Sequence, residues 1–205
     1  MTFGGKGIQN GVVLLAALKD IEVFKRAHLV ALAGVKDNTL KVWLGFINKA
    51  AKRQTAERFN TRFTALEAMS VVLMGELQRE WGTPPEHSYT FAWHACFAFC
   101  EAKQNDLKRP LLGFPRETFT VSFSPAVVNK SRCGIGPKEL GEEIADALPR
   151  ECSTVMVIPD AVINDRVFKP VLALRQTITG VDLLALAARQ AELEERRDDA
   201  KEPTT

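Results

Sequence analysis

Through the first hundred residues, apolar side chains recur three and four positions apart, the spacing of one helix face. Asn10 is placed to cap a first helix over residues 11–23. Two short helices follow, 26–33 and 38–48, and meet at Gly34. A tight corner there requires a positive φ, which glycine adopts without a Cβ clash. Leu29, Val30 and Ala33 form the inner face of the first helix, and Leu40, Trp43, Leu44 and Ile47 that of the second. Val35 plugs the corner, and Asp37 or Asn38 caps the second helix. Lys36, Asp37, Asn38, Lys41 and Val42 are left facing outward. Residues 49–62 are polar and basic with no sustained apolar period, and they read as a hairpin between helical segments. Thr64 and Glu67 compose a capping box at the head of a long helix, 64–81. Gly82-Thr83-Pro84-Pro85 breaks the chain. A further helix over 87–103 carries Tyr89, Phe91, Ala92, Ala95, Cys96, Phe97 and Phe99.

After Lys108-Arg109-Pro110 the period changes. Residues 118–123 alternate apolar and polar, as a strand does, and Thr154–Ile158 is a second strand stopped by Pro159. Between them, Gly134, Gly136 and Pro137 form a loop that leads into a helix, 137–148, with Leu140, Ile144 and Leu148 on one face. Residues 162–168 fit either a third strand or a short helix. From Gly180 to Lys201 the composition is helical, and the charged end beyond Glu192 is expected to fray. Val181, Leu184, Ala188 and Ala191 lie near the a and d positions of a short seam, with Leu183 and Leu186 on a second face. Two heptads are marginal for a coiled coil. The helix therefore either pairs two copies over residues 181–193 or covers its own chain, and a homodimer is the expectation. The pattern predicts an α+β chain: a mainly helical part over 1–104, a small α+β domain over 105–179, and a C-terminal helix and tail over 180–205.

Gly34-Val35, followed by Thr39-Leu40-Lys41 and Trp43, resembles the MerR-type winged helix-turn-helix DNA-binding proteins. In that family a Gly-Val-x-x-x-Thr-Leu-Arg-x-Tyr/Trp run begins the recognition helix. The Arg62-Phe63-Thr64 approach to a long apolar helix is similar to the segment after the family's wing. The resemblance covers residues 24–104, about two fifths of the chain, and rests on the order of the parts. It departs at Val30, where the family carries a small residue, and at Lys41, which keeps the charge of arginine but loses its bidentate fork. It implies a second helix that enters the DNA major groove. Lys36, Asn38, Thr39, Lys41 and Val42 would then meet base edges or nearby phosphates. Lys49, Lys52, Arg53, Arg58 and Arg62 would hold the backbone through the wing.

Charge agrees with that placement. The net charge is only +2, but residues 1–82 hold 12 basic and 7 acidic side chains. Residues 36–62 hold 7 against 2, so the whole excess of the N-terminal part lies in the proposed recognition helix and wing. A basic footprint of this kind is expected where phosphates are met. No apolar run approaches the roughly 18 residues a membrane span needs, so no membrane partner is expected. The N-terminus lacks a small-residue cleavage site, so no signal peptide is expected, and four irregularly spaced cysteines suit a reducing cytoplasm.

Catalytic chemistry finds little support. The histidines His28, His87 and His94 form no HExxH, and neither a Gly-x-Ser-x-Gly nor a P-loop occurs. Gly4-Gly5-Lys6-Gly7 lacks a preceding strand, and Gly134-Ile135-Gly136 runs into Pro137, which suits the first turn of a helix. His94, Cys96 and Cys100, with His87 or Cys133, are a candidate zinc set. The simpler reading is buried cysteines acting as small hydrophobes beside Phe97 and Phe99. No metal, cofactor or enzyme activity is expected. The expected function is that of a cytoplasmic, bacterial or phage transcriptional regulator binding double-stranded DNA in a sequence-specific way. The alternative is a plasmid- or phage-encoded interaction or inhibitor protein that uses the same surface.

Overall fold

The computed structural model describes residues 13–50, 62–108, 118–124, 132–147 and 154–199. Among the described residues the chain is mainly helical, with two small antiparallel sheets, an α+β architecture. At its centre is α4, Ala65–Trp81, in which every residue from Ala65 to Leu77 is buried. A helix apolar on all sides has to be surrounded. Its start is set by sequence: the Thr64 amide donates to Glu67 Oε2 at 2.8 Å, and the Glu67 amide donates to Thr64 Oγ1 at 3.2 Å. Buried Ser70 donates its hydroxyl to the Leu66 carbonyl at 2.8 Å. After a short break, α5, Pro85–Lys108, packs along α4.

Around this pair lie α1 (Val13–Asp20), β1 (Glu22–Phe24), α2 (Arg26–Ala33) and α3 (Asp37–Ala50). Residues 22 and 23 were expected at the end of the first helix but, with Phe24, form a strand. That strand pairs with β2, Phe63–Thr64, matching Glu22 with Thr64 and Phe24 with Phe63. Buried Phe24 and Phe63 explain the choice, because pairing puts both rings into the core. The second sheet contains β3 (Phe119–Ser124), β4 (Arg132–Ile135) and β5 (Thr154–Pro159) in the order β4-β3-β5. The Gly134 position expected in a loop is therefore within a strand. It is held there by buried Asp160, whose Oδ2 accepts from the Gly134 amide at 3.0 Å and whose Oδ1 accepts from Thr120 Oγ1 at 2.6 Å. Helix α6, Pro137–Ala147, follows β4.

Residues 162–168 are helical. A short α7, Asp160–Val162, runs into a π-helical stretch, Ile163–Phe168, and then into α8, Lys169–Thr179. A strand would put Ile163, Asp165 and Val167 on one face, but Asp165 is exposed while Ile163 and Val167 are buried. Phe168 closes edge-on against Phe99 of α5, with ring centroids 5.4 Å apart. The last helix is α9, Leu183–Asp199, which packs on α1 and α5. One hydrophobic cluster runs from Leu14 through α4 and α5 to Ala187, and the division expected after residue 104 falls inside α5.

Candidate nucleic-acid interface

The corner between α2 and α3 is fixed by backbone chemistry and by α4 behind it. Gly34 has φ 63° and ψ 32°, a left-handed conformation that costs a residue with a Cβ roughly 1–2 kcal/mol. Arg79 of α4 donates Nη1 to the Ala33 carbonyl at 2.8 Å, satisfying an acceptor that the end of α2 leaves open. The corner rests on Gly75: a Cβ there would lie 3.5 Å from the Ala33 carbonyl and 3.6 Å from the Trp43 ring. Leu40, Trp43 and Leu44 are buried, as their spacing predicts, and Val30, the departure from the family pattern, is half-buried against the core.

The opposite face of α3 is exposed. Lys36, Asp37, Asn38, Thr39, Lys41 and Val42 all face solvent, and Val42 is 58% exposed. An apolar side chain standing out among donors can contact a thymine methyl. Asp37 is the one acidic member of this group, and two cations hold it. Arg26 Nη2 lies 2.6 Å from Asp37 Oδ1, and Lys41 Nζ lies 3.6 Å from Oδ2. Exposed pairs of this kind contribute about 1 kcal/mol or less, so Lys41 can exchange Asp37 for a phosphate at little cost.

One of the expected backbone contacts changes position. Lys49 belongs to α3, because the helix continues to Ala50, so it is not a wing residue. Lys52, Arg53 and Arg58 lie outside the described residues. Arg62 is exposed and directly precedes β2. Pairing of Phe63 with Phe24 brings Arg62 to the end of the ladder where exposed Lys25 starts α2. Lys25, of the pair Lys25-Arg26, was passed over in the sequence, because its approach to Arg62 depends on a strand pairing across some forty residues. The one local signal was the basic pair itself. His28 is occupied structurally: its Nδ1 accepts from the Lys25 amide at 3.1 Å.

The cysteine cluster has a different character. Cys96 and Cys100 are buried, and the Cys100 thiol faces Met69 Sδ at 3.7 Å. Burial pushes the Cys96 thiol well up. It pushes Cys100 to about 12, with Cys133 adding to the rise, and Cys133 to about 12, with Asp160 adding. Such thiols stay protonated and unreactive at neutral pH. Among the described residues no group of three or more His, Cys, Asp and Glu side chains is arranged to hold a metal ion. The amides of Gly134 and Gly136 are directed at the carboxylates of Asp160 and Glu139, so that glycine turn presents no anion cradle.

Among the described residues no single helix is long and apolar enough to cross a membrane. Helix α9 faces inward through buried Leu183 and Ala187, while Leu184, Leu186 and Leu193 are exposed. Leu183 thus covers its own chain, and Leu186, expected on the same covering face, points outward. In comparison with known proteins, the chain matches no family model, no curated protein and no solved structure.

Proposed function

We propose that this chain is a sequence-specific DNA-binding regulator that reads double-stranded DNA with α3, in the manner of a winged helix-turn-helix. The supporting observation is the two-sided character of α3. Leu40, Trp43 and Leu44 are buried on one side, where α3 packs on α5 and the Trp43 ring lies against Gly75 of α4, while Asn38, Thr39, Lys41 and Val42 are exposed on the other. A rigidly mounted helix with exposed donors and one apolar contact is the form that major-groove readout needs. Lys36, Lys41 and Arg62 supply phosphate contacts, with Lys25 beside Arg62. The regulator acts in the cytoplasm by occupying promoter DNA as a homodimer, each copy taking one half-site. The exposed Leu184, Leu186 and Leu193 of α9 supply the contact between copies.

Selection from random duplexes followed by fluorescence anisotropy tests this reading. A recovered palindrome is the expected result. Replacing Asn38 by Ala should then cost about 1–3 kcal/mol at one base-pair position and little on unrelated DNA. Replacing Lys36, Lys41 and Arg62 together by Ala should weaken binding to every sequence and lower the salt slope by about three. Recovery of no duplex above background would overturn the proposal. Leu184→Asp with Leu193→Asp leaves the core intact and should convert the dimer to a monomer in light scattering.

A further inference from the structure

The corner at Gly34 separates two opening turns that a single side chain joins. Arg26 is the first residue of α2, and Asp37 is the first residue of α3. Arg26 Nη2 donates to the Asp37 carbonyl at 3.2 Å and lies 2.6 Å from Asp37 Oδ1. One nitrogen therefore holds both the backbone and the carboxylate of the same residue. The base of this strap is fixed. Phe24, two residues earlier, is buried in the β1–β2 ladder, and the Lys25 amide is bound by His28 Nδ1. Arg26 itself lies against the protein: its side chain is 27% exposed, and its Nε is shielded from solvent. The far end is different. The first amides of a helix have no acceptor within it, so the opening turn frays unless something outside holds it. In α3 that turn carries exposed Asn38 and Thr39, and the buried anchors begin only at Leu40.

We infer that Arg26 is a positioning residue: it ties the opening turn of α3 to the start of α2 and so sets the aim of Asn38, without itself touching a base. The inference rests on the DNA reading proposed for α3. It has an electrostatic side as well. Asp37 puts a carboxylate on the face that meets phosphates. Among the described residues, Lys41 is the other cation beside it, with Nζ 3.6 Å from Oδ2. When Lys41 turns to a phosphate, Arg26 stays and keeps that carboxylate paired. A guanidinium suits this task, because its planar group is preorganised and loses less freedom per hydrogen bond than a lysine ammonium.

The test has two arms, both on the full chain. The first uses no DNA and follows amide hydrogen exchange by NMR in the ¹⁵N-labelled protein. The Leu40 amide closes the first turn on the Lys36 carbonyl at 3.0 Å. Arg26→Met should quicken exchange at Leu40 and Lys41 about fivefold and leave Trp43 and Leu44 unchanged. The second arm is fluorescence anisotropy with the selected duplex and an unrelated one. Arg26→Met should cut the preference for the selected duplex about fivefold, with the salt slope unchanged. A residue that only stabilised the fold would leave that preference alone in a chain that is still folded. In an Asp37→Ala background the same change should cost about twofold or less, because the carboxylate it holds is gone. Should Arg26→Met fail to fold, Asp37→Ala alone, at an exposed residue, should reproduce both the faster exchange and the lower preference. Unchanged exchange, unchanged preference, or a full loss in the Asp37→Ala background would each overturn the assignment. A uniform loss on both duplexes, with a salt slope lower by about one, would make Arg26 a phosphate contact instead. If the wild-type chain prefers no duplex, the DNA reading fails, and the exchange arm by itself decides whether the strap exists.

Discussion

Two corners of this molecule share one local device and differ in everything around it. At Gly34 and at Gly180 a helix ends in a left-handed glycine, with φ 63° and 69°, and a new helix sets off within a few residues. Behind Gly34 lies α4, which fills the angle: Arg79 reaches the Ala33 carbonyl, and Trp43 closes over Gly75. The angle at Gly180 stays open as a cleft with an unpartnered arginine in its wall. A helix corner is thus a neutral element. Filled from behind, it becomes a rigid mount that presents its outer face. Left open, it leaves a cleft between the two helices.

The largest effect that would break this comparison is expected at Trp43. Trp43→Ala removes a buried ring from the filled corner and should destabilise the chain by about 3–5 kcal/mol in urea unfolding. Leu184→Ala, at the lip of the open corner and 38% exposed, should change stability by about 0.5 kcal/mol or less. Similar costs at the two sites would mean that the second corner is filled in solution.

Glu76 connects the two regions. It is bound by Arg79, which also caps α2, and by Arg166 at 3.2 Å from the π-helical stretch ahead of α8. Arg166 reaches Glu80 as well, at 3.3 Å, and these carboxylates hold its pKa above the usual arginine value. Glu76→Gln should cost about 1–3 kcal/mol, and hydrogen exchange should quicken at the end of α2 and in residues 163–168 together. Loss of protection on one side alone would show that Glu76 does not link them.

Gly34→Ala and Gly180→Ala should each cost about 1–2 kcal/mol, because both force a Cβ into the left-handed region. Equal stability losses with unequal function would sharpen the contrast. The first should also weaken duplex binding, and the second should leave it unchanged.

The smallest effect expected is on pH. Burial lowers the pKa of His94 on α5, so the folded chain holds it neutral while the unfolded chain binds a proton below about 6.5. Its contribution is fully present above that pH and is lost as pH falls towards the lower folded value. Because α5 touches both α3 and α9, both corners should loosen together. His94→Gln should reduce the fall in urea midpoint between pH 7.5 and 5.5, and an unchanged fall would place the titration elsewhere.

Features governed by neighbours in the chain were legible in the sequence. The Thr64–Glu67 capping box, the Gly34 corner, the inward Leu40, Trp43 and Leu44 and the alternating strand from Phe119 all depend on backbone sterics and hydrogen bonds spanning a few residues. The exposed face of α3 followed from the same periodicity. Tertiary structure decided the rest. Residues 22–24 became a strand because Phe63, some forty residues away, offered a partner and a shared place in the core. The 163–168 segment became a π-helical stretch as Phe168 met Phe99. Arg175 is one more arginine in an amphipathic helix until tertiary packing buries it and leaves its Nε and Nη1 without an acceptor. Local rules specify which conformation a segment adopts and which face is apolar. Which apolar faces meet, and which polar groups are left without a partner, is settled when distant segments compete for the same buried surface.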